Sequence, residues 1–313
     1  MRTSIYPGLP PSWRLPRFVL ALGALLAIAS CSPATKEAKS FRDACDAGDA
    51  AACNKFAGRL QEGSHVLQDR PRAAELFGRA CTGGVGDGCT SLAVMLQRGS
   101  NEVKRDSARA VRLLSEGCEK GAMEGCARLG DLYKKGRGVG QDIARAATLF
   151  QRSCDQNQMI GCAQLGVLHE TGEGVAQDFV RAATLLQKSC DAKVPVGCVG
   201  LGRLHAAGNG VAQNDSIAAS LYRKACDDRE ATGCFLLAHV YEEGRGEPQN
   251  FQRASRLYDQ LCDDRNGEAC ARLADMYEKG AGVYRQPEQA VTLRRRACEL
   301  GYEAACPKAK TAT

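Results

Sequence analysis

Aromatic residues are scarce. Phe, Trp and Tyr make up 5% of the 313 residues, and the single tryptophan, Trp13, lies near the start. So few rings leave no stacking platform for bases, and no nucleic-acid partner is expected. Charge of one sign is lacking as well. The net charge is +6, of which Arg2, Arg14 and Arg17 supply half, and so even a balance leaves no electrostatic footprint for a polyanion. The apolar run Phe18 to Ser30 has 13 residues, short of the about 20 that a membrane-spanning helix requires. With 44% hydrophobic and 25% charged residues, the chain is neither a polytopic membrane protein nor a disordered one.

Catalytic signatures are also missing. The S-x-x-K, S-D-N and K-T-G motifs of serine β-lactamases do not occur, and Lys310-Thr311-Ala312 is the nearest approach. There are four histidines, His65, His169, His205 and His239. His169 and His205 take the same slot in successive repeats, about one repeat rise apart and too far for one metal ion, so no metal and no cofactor are expected. The acidic residues are scattered, with no pair set apart as acid and base.

Cysteine, by contrast, is abundant, with 17 residues. The first, Cys31, follows a basic start and the apolar run, which together read as a secretory leader over residues 1–30. Ile28-Ala29-Ser30-Cys31 resembles a bacterial lipobox, which implies lipidation of Cys31 and membrane attachment by lipid alone. Ser32, rather than Asp, follows that cysteine, so an outer-membrane anchor is favoured, facing the periplasm or the cell surface. Residues 31–40 are expected to be a short linker and 307–313 a polar tail.

The remaining sixteen fall into eight pairs, Cys45/Cys53, Cys81/Cys89, Cys118/Cys126, Cys154/Cys162, Cys190/Cys198, Cys226/Cys234, Cys262/Cys270 and Cys298/Cys306, each eight residues apart. Successive pairs are 36 residues apart, with one step of 37, which is the mark of an internal repeat. Structural zinc sites place cysteines about two to four residues apart, and no such pair exists here. In one continuous helix, residues eight apart would be separated by about 12 Å, beyond the roughly 7 Å limit for a disulfide. Disulfides within each pair therefore require the chain to reverse between the two cysteines. Gly48, Gly84, Gly121, Asn157 and Gly301 suit that turn, whereas Lys193, Arg229 and Arg265 show that glycine itself is not needed. So many cystines belong in an oxidising compartment.

Counting from the second cysteine of each pair, positions 0, 3, 4 and 7 form one helical face. Position 3 is Phe56, Leu92, Leu129, Leu165, Leu201, Leu237 or Leu273, position 4 is always Ala or Gly, and position 7 is Leu, Tyr or His. This helix, termed A, should end at the glycine of position 10 (Gly63 through Gly280), with a second left-handed residue two places later. That second place holds His65, Asn101, Gly138, Gly174, Gly210, Gly246 and Gly282. A second helix, B, should start after Asp69, Asp106, Asp142, Asp178, Asn214, Asn250 or the weaker cap Gln286. Its core carries an alanine and, three residues on, a leucine in every copy, from Ala73 and Leu76 to Ala290 and Leu293. The extra residue of the long repeat should lie near Asn101 to Lys104.

These residues, as in the run from Gly161 to Asp191, resemble the Sel1-like repeat family, relatives of the tetratricopeptide repeat. The paired cysteines further resemble its secreted branch, the Helicobacter cysteine-rich proteins. The resemblance covers residues 41–306 and implies an all-α fold, a right-handed α/α solenoid of about seven disulfide-stapled repeats. It also implies that helix A lines a concave groove for peptides or partner proteins, here of the cell envelope. Positions 2, 5 and 9 of helix A vary between copies and supply the candidate contacts. They are Arg128, Asp131, Lys135, Gln164, Val167, Thr171, Arg203, Leu236, His239, Glu243, Arg272, Asp275 and Lys279. Because some secreted relatives have been assigned penicillin binding, the resemblance also raises a β-lactam or peptidoglycan-fragment binder with weak hydrolase activity. A purely structural envelope spacer is the third reading.

Overall fold

The computed structural model describes residues 33–306, so the expected leader, Cys31 and the tail 307–313 lie outside the described residues. Among the described residues all regular structure is helical. In chain order the helices are α1 (Pro33–Asp46), α2 (Ala50–Glu62), α3 (Arg70–Thr82), α4 (Gly86–Arg98), α5 (Ser107–Glu119), α6 (Met123–Lys135), α7 (Ile143–Asp155) and α8 (Met159–Thr171). They continue with α9 (Phe179–Asp191), α10 (Pro195–Ala207), α11 (Asp215–Asp227), α12 (Ala231–Glu243), α13 (Phe251–Asp263), α14 (Gly267–Lys279) and α15 (Pro287–Glu299). From α2 onward, even-numbered helices are of type A and odd-numbered ones of type B. The chain divides into two compact units, described over 33–105 and 106–306, each built of antiparallel A and B helices. The expected linker over 31–40 is corrected in part, because α1 already begins at Pro33 and buries Ala38.

All eight expected disulfides are formed, Cys45–Cys53, Cys81–Cys89, Cys118–Cys126, Cys154–Cys162, Cys190–Cys198, Cys226–Cys234, Cys262–Cys270 and Cys298–Cys306, with Cα–Cα separations of 4.4 to 4.8 Å. The first seven each tie the last turn of one helix to the start of the next, and Cys298–Cys306 ties the last turn of α15 to the residue after the 3-10 turn Glu303–Ala305. Apart from the half-buried Cys234 and Cys306, the second cysteines are core residues and not surface sites. Cys53, Cys126, Cys162, Cys198 and Cys270 are at most 1% exposed, as position 0 of the buried stripe requires. Their sulfurs lie 3.6 to 3.8 Å from the carbonyl oxygens of Cys45, Cys118, Cys154, Cys190 and Cys262. A cystine sulfur has no proton to donate, so these are packing contacts.

The turn between the two cysteines has one left-handed residue in every copy, including Asn157, Lys193, Arg229 and Arg265 at φ of 60°, 60°, 62° and 68°. Glycine is thus dispensable here although the conformation is not. Basic side chains add a tie that the sequence reading overlooked. Arg79 Nη2, Arg152 Nη2 and Lys224 Nζ donate to the carbonyls of Cys45, Cys118 and Cys190, at 2.8, 3.1 and 2.9 Å. Each cation thereby adds a second donor to a carbonyl that already accepts the N–H of Gly48, Gly121 or Lys193, at a helix C-terminus where the dipole also favours positive charge.

The A-to-B loop is closed differently. Asp69, Asp106, Asp142, Asp178, Asn214 and Asn250 each accept a hydrogen bond from the backbone N–H three residues on, whereas Gln286 makes no such cap. Just before the cap, Gln68, Gln141, Gln177, Gln213 and Gln249 donate to a carbonyl in the last turn of the preceding A helix. The second left-handed position holds for His65 and the five glycines but not for Asn101. In the long repeat Ser100 redirects the loop. Its N–H donates to the Val103 carbonyl at 2.8 Å, and its hydroxyl accepts from Val103 N–H at 2.9 Å. The inserted residue is absorbed there, with Val103 buried beneath it.

The core departs from expectation in one respect. The invariant leucine of helix B is only half-buried in five copies, Leu113, Leu149, Leu185, Leu221 and Leu257. In these copies the residue after it is the deep one, namely Leu114, Phe150, Leu186, Tyr222 or Tyr258. It faces the small residue of helix A. A Cβ on Gly130 would lie 2.7 Å from the Phe150 ring, and one on Gly202 2.5 Å from that of Tyr222. The small residue at position 4 is therefore the socket for a large side chain of its own repeat. Burial of such a side chain contributes about 1.5 to 3 kcal/mol.

Candidate functional site

Within the second unit successive A helices touch one another, α6 with α8, α8 with α10 and α10 with α12, while successive B helices stand further apart. The A series therefore lies on the inside of the bend and carries the variable positions 2, 5 and 9. Their side chains are mostly half-buried, and many are already engaged within the protein. Lys135 pairs with Asp131 at 2.7 Å and Arg128 with Glu124 at 2.6 Å. Arg203 grips Glu170 of the preceding repeat in bidentate fashion, Nε to Oε1 at 2.9 Å and Nη2 to Oε2 at 2.7 Å. Gln164 accepts from Lys134 at 3.4 Å, the Thr171 hydroxyl donates to the Leu168 carbonyl, and Val167 packs against the core around Leu201 and Leu204. These seven form a laced surface. Lys279 is exposed at the end of α14. Cys126, Cys162, Cys198 and Cys270 lie on the opposite, buried face of the same A helices, as does Cys53 in the first unit, so none of them can touch a ligand in the groove.

Further along, the character of the surface changes. Leu236, His239 and Glu243 of α12 converge on a cavity of about 310 Å3, which Ala206 of α10 and Ala218 and Tyr222 of α11 also line. His239 Nδ1 is 3.5 Å from Glu243 Oε1, and Arg245 Nη2 is 3.2 Å from Asp215 Oδ1 at the rim. The wall is aromatic. Phe235 meets His239 edge-on at 5.5 Å between centroids and Tyr258 at 5.7 Å. The Tyr258 hydroxyl donates to Glu242 Oε2 at 2.8 Å. Burial, followed by that bond to Glu242, raises the Tyr258 pKa. Burial likewise pushes Tyr222 up to about 12. Both hydroxyls therefore stay protonated at neutral pH, and the cavity presents an apolar floor with a mixed-charge rim.

Sequence reasoning found three of these side chains and missed Phe235, Tyr222 and Arg245. One signal was available. Phe235 stands one place after the second cysteine, where the other copies have Asn54, Thr90, Ala127, Ala163, Val199 and Ala271. Arg272 and Asp275 line a second, larger cavity at the end of α15. His169 and His205 are structural. The Nδ1 atoms of these rings lie 3.1 Å from the carbonyls of Ala176 and Ala212 and pin the A-to-B loop.

The repeat geometry agrees with comparisons to known proteins. Sel1 repeat sequences match residues 50–85, 86–121, 124–158, 160–194, 195–228, 231–266 and 267–302. Among curated proteins none matches this chain. The crystal structure of c5321, a protective antigen present in uropathogenic Escherichia coli strains and displaying an SLR fold, is 27% identical with a TM-score of 0.65. The match covers 86% of this chain and 57% of c5321, so the chain spans just over half of that protein. A Sel1 repeat protein from Oxalobacter formigenes is 20% identical with a TM-score of 0.62, over 88% of this chain and 81% of that one. Cysteine rich protein B from Helicobacter pylori is 28% identical over 44% of this chain and 97% of its own, with a TM-score of 0.35. Seven consecutive matched repeats, each with its A helix, glycine-closed loop and B helix in place, make this chain a member of the Sel1 repeat family.

Proposed function

We infer that this protein is an exported, lipid-anchored scaffold that holds a protein or peptide of the cell envelope on the inner surface of its A helices. The convergence of Leu236, His239 and Glu243 on the aromatic-walled cavity carries this reading. An apolar floor with a few polar groups at the rim is the usual construction of a site for an anchoring side chain. Eight cystines support an oxidising compartment, in keeping with export. The lipid anchor rests on the Ile28-Ala29-Ser30-Cys31 run.

A photo-crosslinking residue placed at Leu236 in intact cells, followed by mass spectrometry, is expected to capture one envelope polypeptide that the same probe at the exposed Thr184 does not. Equal yields from both positions would sink the groove reading. Incorporation of labelled fatty acid, lost in Cys31→Ser, checks the anchor. The scaffold reading expects no nitrocefin turnover. Turnover abolished by His239→Ala would return the weak hydrolase to first place.

A further inference from the structure

Inside the second unit, the groove beside each B helix is filled by the A helix of the following repeat. Leu165 and Leu168 of α8 share a buried cluster with Ala147 and Phe150 of α7, and Leu201 and Leu204 of α10 share one with Ala183 and Leu186 of α9. Ala147, Ala183 and Ala219 are accordingly 5%, 8% and 0% exposed. The residue in that register on α15 is Val291, and it is 66% exposed. Among the described residues, the 3-10 turn Glu303–Ala305 stands where a further A helix would begin. A cavity of about 880 Å3 stands open there, lined in part by Arg272, Val291, Arg294, Arg295 and Tyr302.

Residues 307–313 do not spell the missing helix. Counted from Cys306, they place Pro307 at position 1, Ala309 at 3, Lys310 at 4 and Thr313 at 7, where the other repeats have an apolar residue, a small one and Leu, Tyr or His. Lys310 would set a charge in the small-residue socket. The charges of the groove also have a template within the chain. Arg223, in the register of Arg295, bonds Glu247 at 2.6 Å and the Tyr241 hydroxyl at 3.2 Å, both on the A helix and loop that follow it. Arg294 is held by Asp275 and Glu278. No carboxylate among the described residues pairs with Arg295.

We propose that this end groove is a docking site for an amphipathic helix of a partner protein. That helix carries apolar residues three apart over Ala290 and Val291, and a carboxylate just beyond its C-terminus for Arg295. It lies in the groove as the chain's own A helices lie in theirs, which is helix-in-groove recognition with the geometry set by the repeat. The site is separate from the cavity around His239, and its occupancy does not depend on that cavity.

The test uses a fluorescein-labelled peptide of residues 231–249 with Cys234→Ala, which carries the A-helix stripe and Glu247, titrated with the full chain and followed by anisotropy. Saturable binding is expected. Val291→Asp, a change at an exposed position, should weaken it at least tenfold and Arg295→Glu about fivefold. A peptide with Glu247→Lys should recover most of the Arg295→Glu loss. Thr184→Asp, at an exposed position away from both cavities, should leave binding unchanged. Absence of saturable binding, or loss with Leu236→Asp but not with Val291→Asp, would overturn the proposal. So would a homodimer in sedimentation that Val291→Asp dissolves, because the groove would then belong to a second copy.

Discussion

Each repeat makes two chain reversals, and they are held by opposite means. The B-to-A turn is short, closed by a disulfide, and accepts Asn157, Lys193, Arg229 or Arg265 in a left-handed conformation. The A-to-B loop has no covalent tie and, apart from His65 and the long repeat, uses glycine at its second left-handed position. A left-handed backbone costs a non-glycine residue about 1 to 2 kcal/mol. A disulfide closing about nine residues contributes roughly 2.5 kcal/mol through loop entropy, enough to offset that strain. In the loop the obstacle is a collision, which no cross-link can relieve. A Cβ on Gly246 would come 2.1 Å from the Asp215 carbonyl oxygen, and one on Gly282 2.3 Å from that of Phe251. Strain that stays local is tolerated where a covalent bond holds the ends, whereas backbone-to-backbone contact between repeats leaves no alternative to glycine.

The contrast can be broken at either junction. Reduction of all eight disulfides should produce the largest effect, a marked fall in Tm with broader unfolding, while far-ultraviolet circular dichroism at low temperature stays helical. Burial of Cys53, Cys126, Cys162, Cys198 and Cys270 means that complete reduction requires local opening of the repeats, so it is best done in denaturant before refolding. A melt unchanged by dithiothreitol, with thiols titrated as free, would remove the staples from the stability argument. Gly246→Ala joins positive φ to a backbone clash and should cost about 2 to 3 kcal/mol in urea unfolding. A loss under about 1 kcal/mol would mean that the loop yields easily.

The cap of the same loop should count for less. Asp178→Ala is expected to cost about 1 kcal/mol, and Gln286→Asp to gain up to that amount, because Gln286 leaves its helix uncapped. The two changes should move the denaturation midpoint in opposite directions at constant m-value. Smallest of all should be Arg229→Gly in the stapled turn, where relief of the left-handed strain is partly cancelled by the extra freedom of glycine in the unfolded chain. A gain of a few tenths of a kcal/mol is expected in the oxidised protein. A loss there would show that Arg229 makes a contact that outweighs its backbone strain.

Much of this was legible from periodicity. The cysteine interval implied the reversal, the Asp and Asn caps announced the B helices, and position 10 marked the helix ends. The leucine of helix B is the deep residue at Leu76 and Leu293, but in the five copies between them it was misassigned because leucine recurs in every copy at the neighbouring position. The true core position alternates among Phe, Leu and Tyr, since what it must match is the width of its socket. Asn101 was misread because its loop carries one more residue and a serine that builds its own turn. At the candidate site, Leu236, His239 and Glu243 were found by register, while Tyr222 and Arg245 were not. They reach the cavity from another helix and from a loop, and no rule of spacing within one helix brings them there.

Repetition let the sequence alone determine the helices, their order, the disulfide partners and the repeat length, because each depends on interactions within about forty residues that recur seven times. Which variable side chains share a cavity, which are consumed in ion pairs such as Arg203–Glu170, and which face stays open at Val291 were decided only by the tertiary structure. Those outcomes depend on how one repeat is set against the next, a relation that the one-dimensional pattern contains in every copy alike and so cannot distinguish.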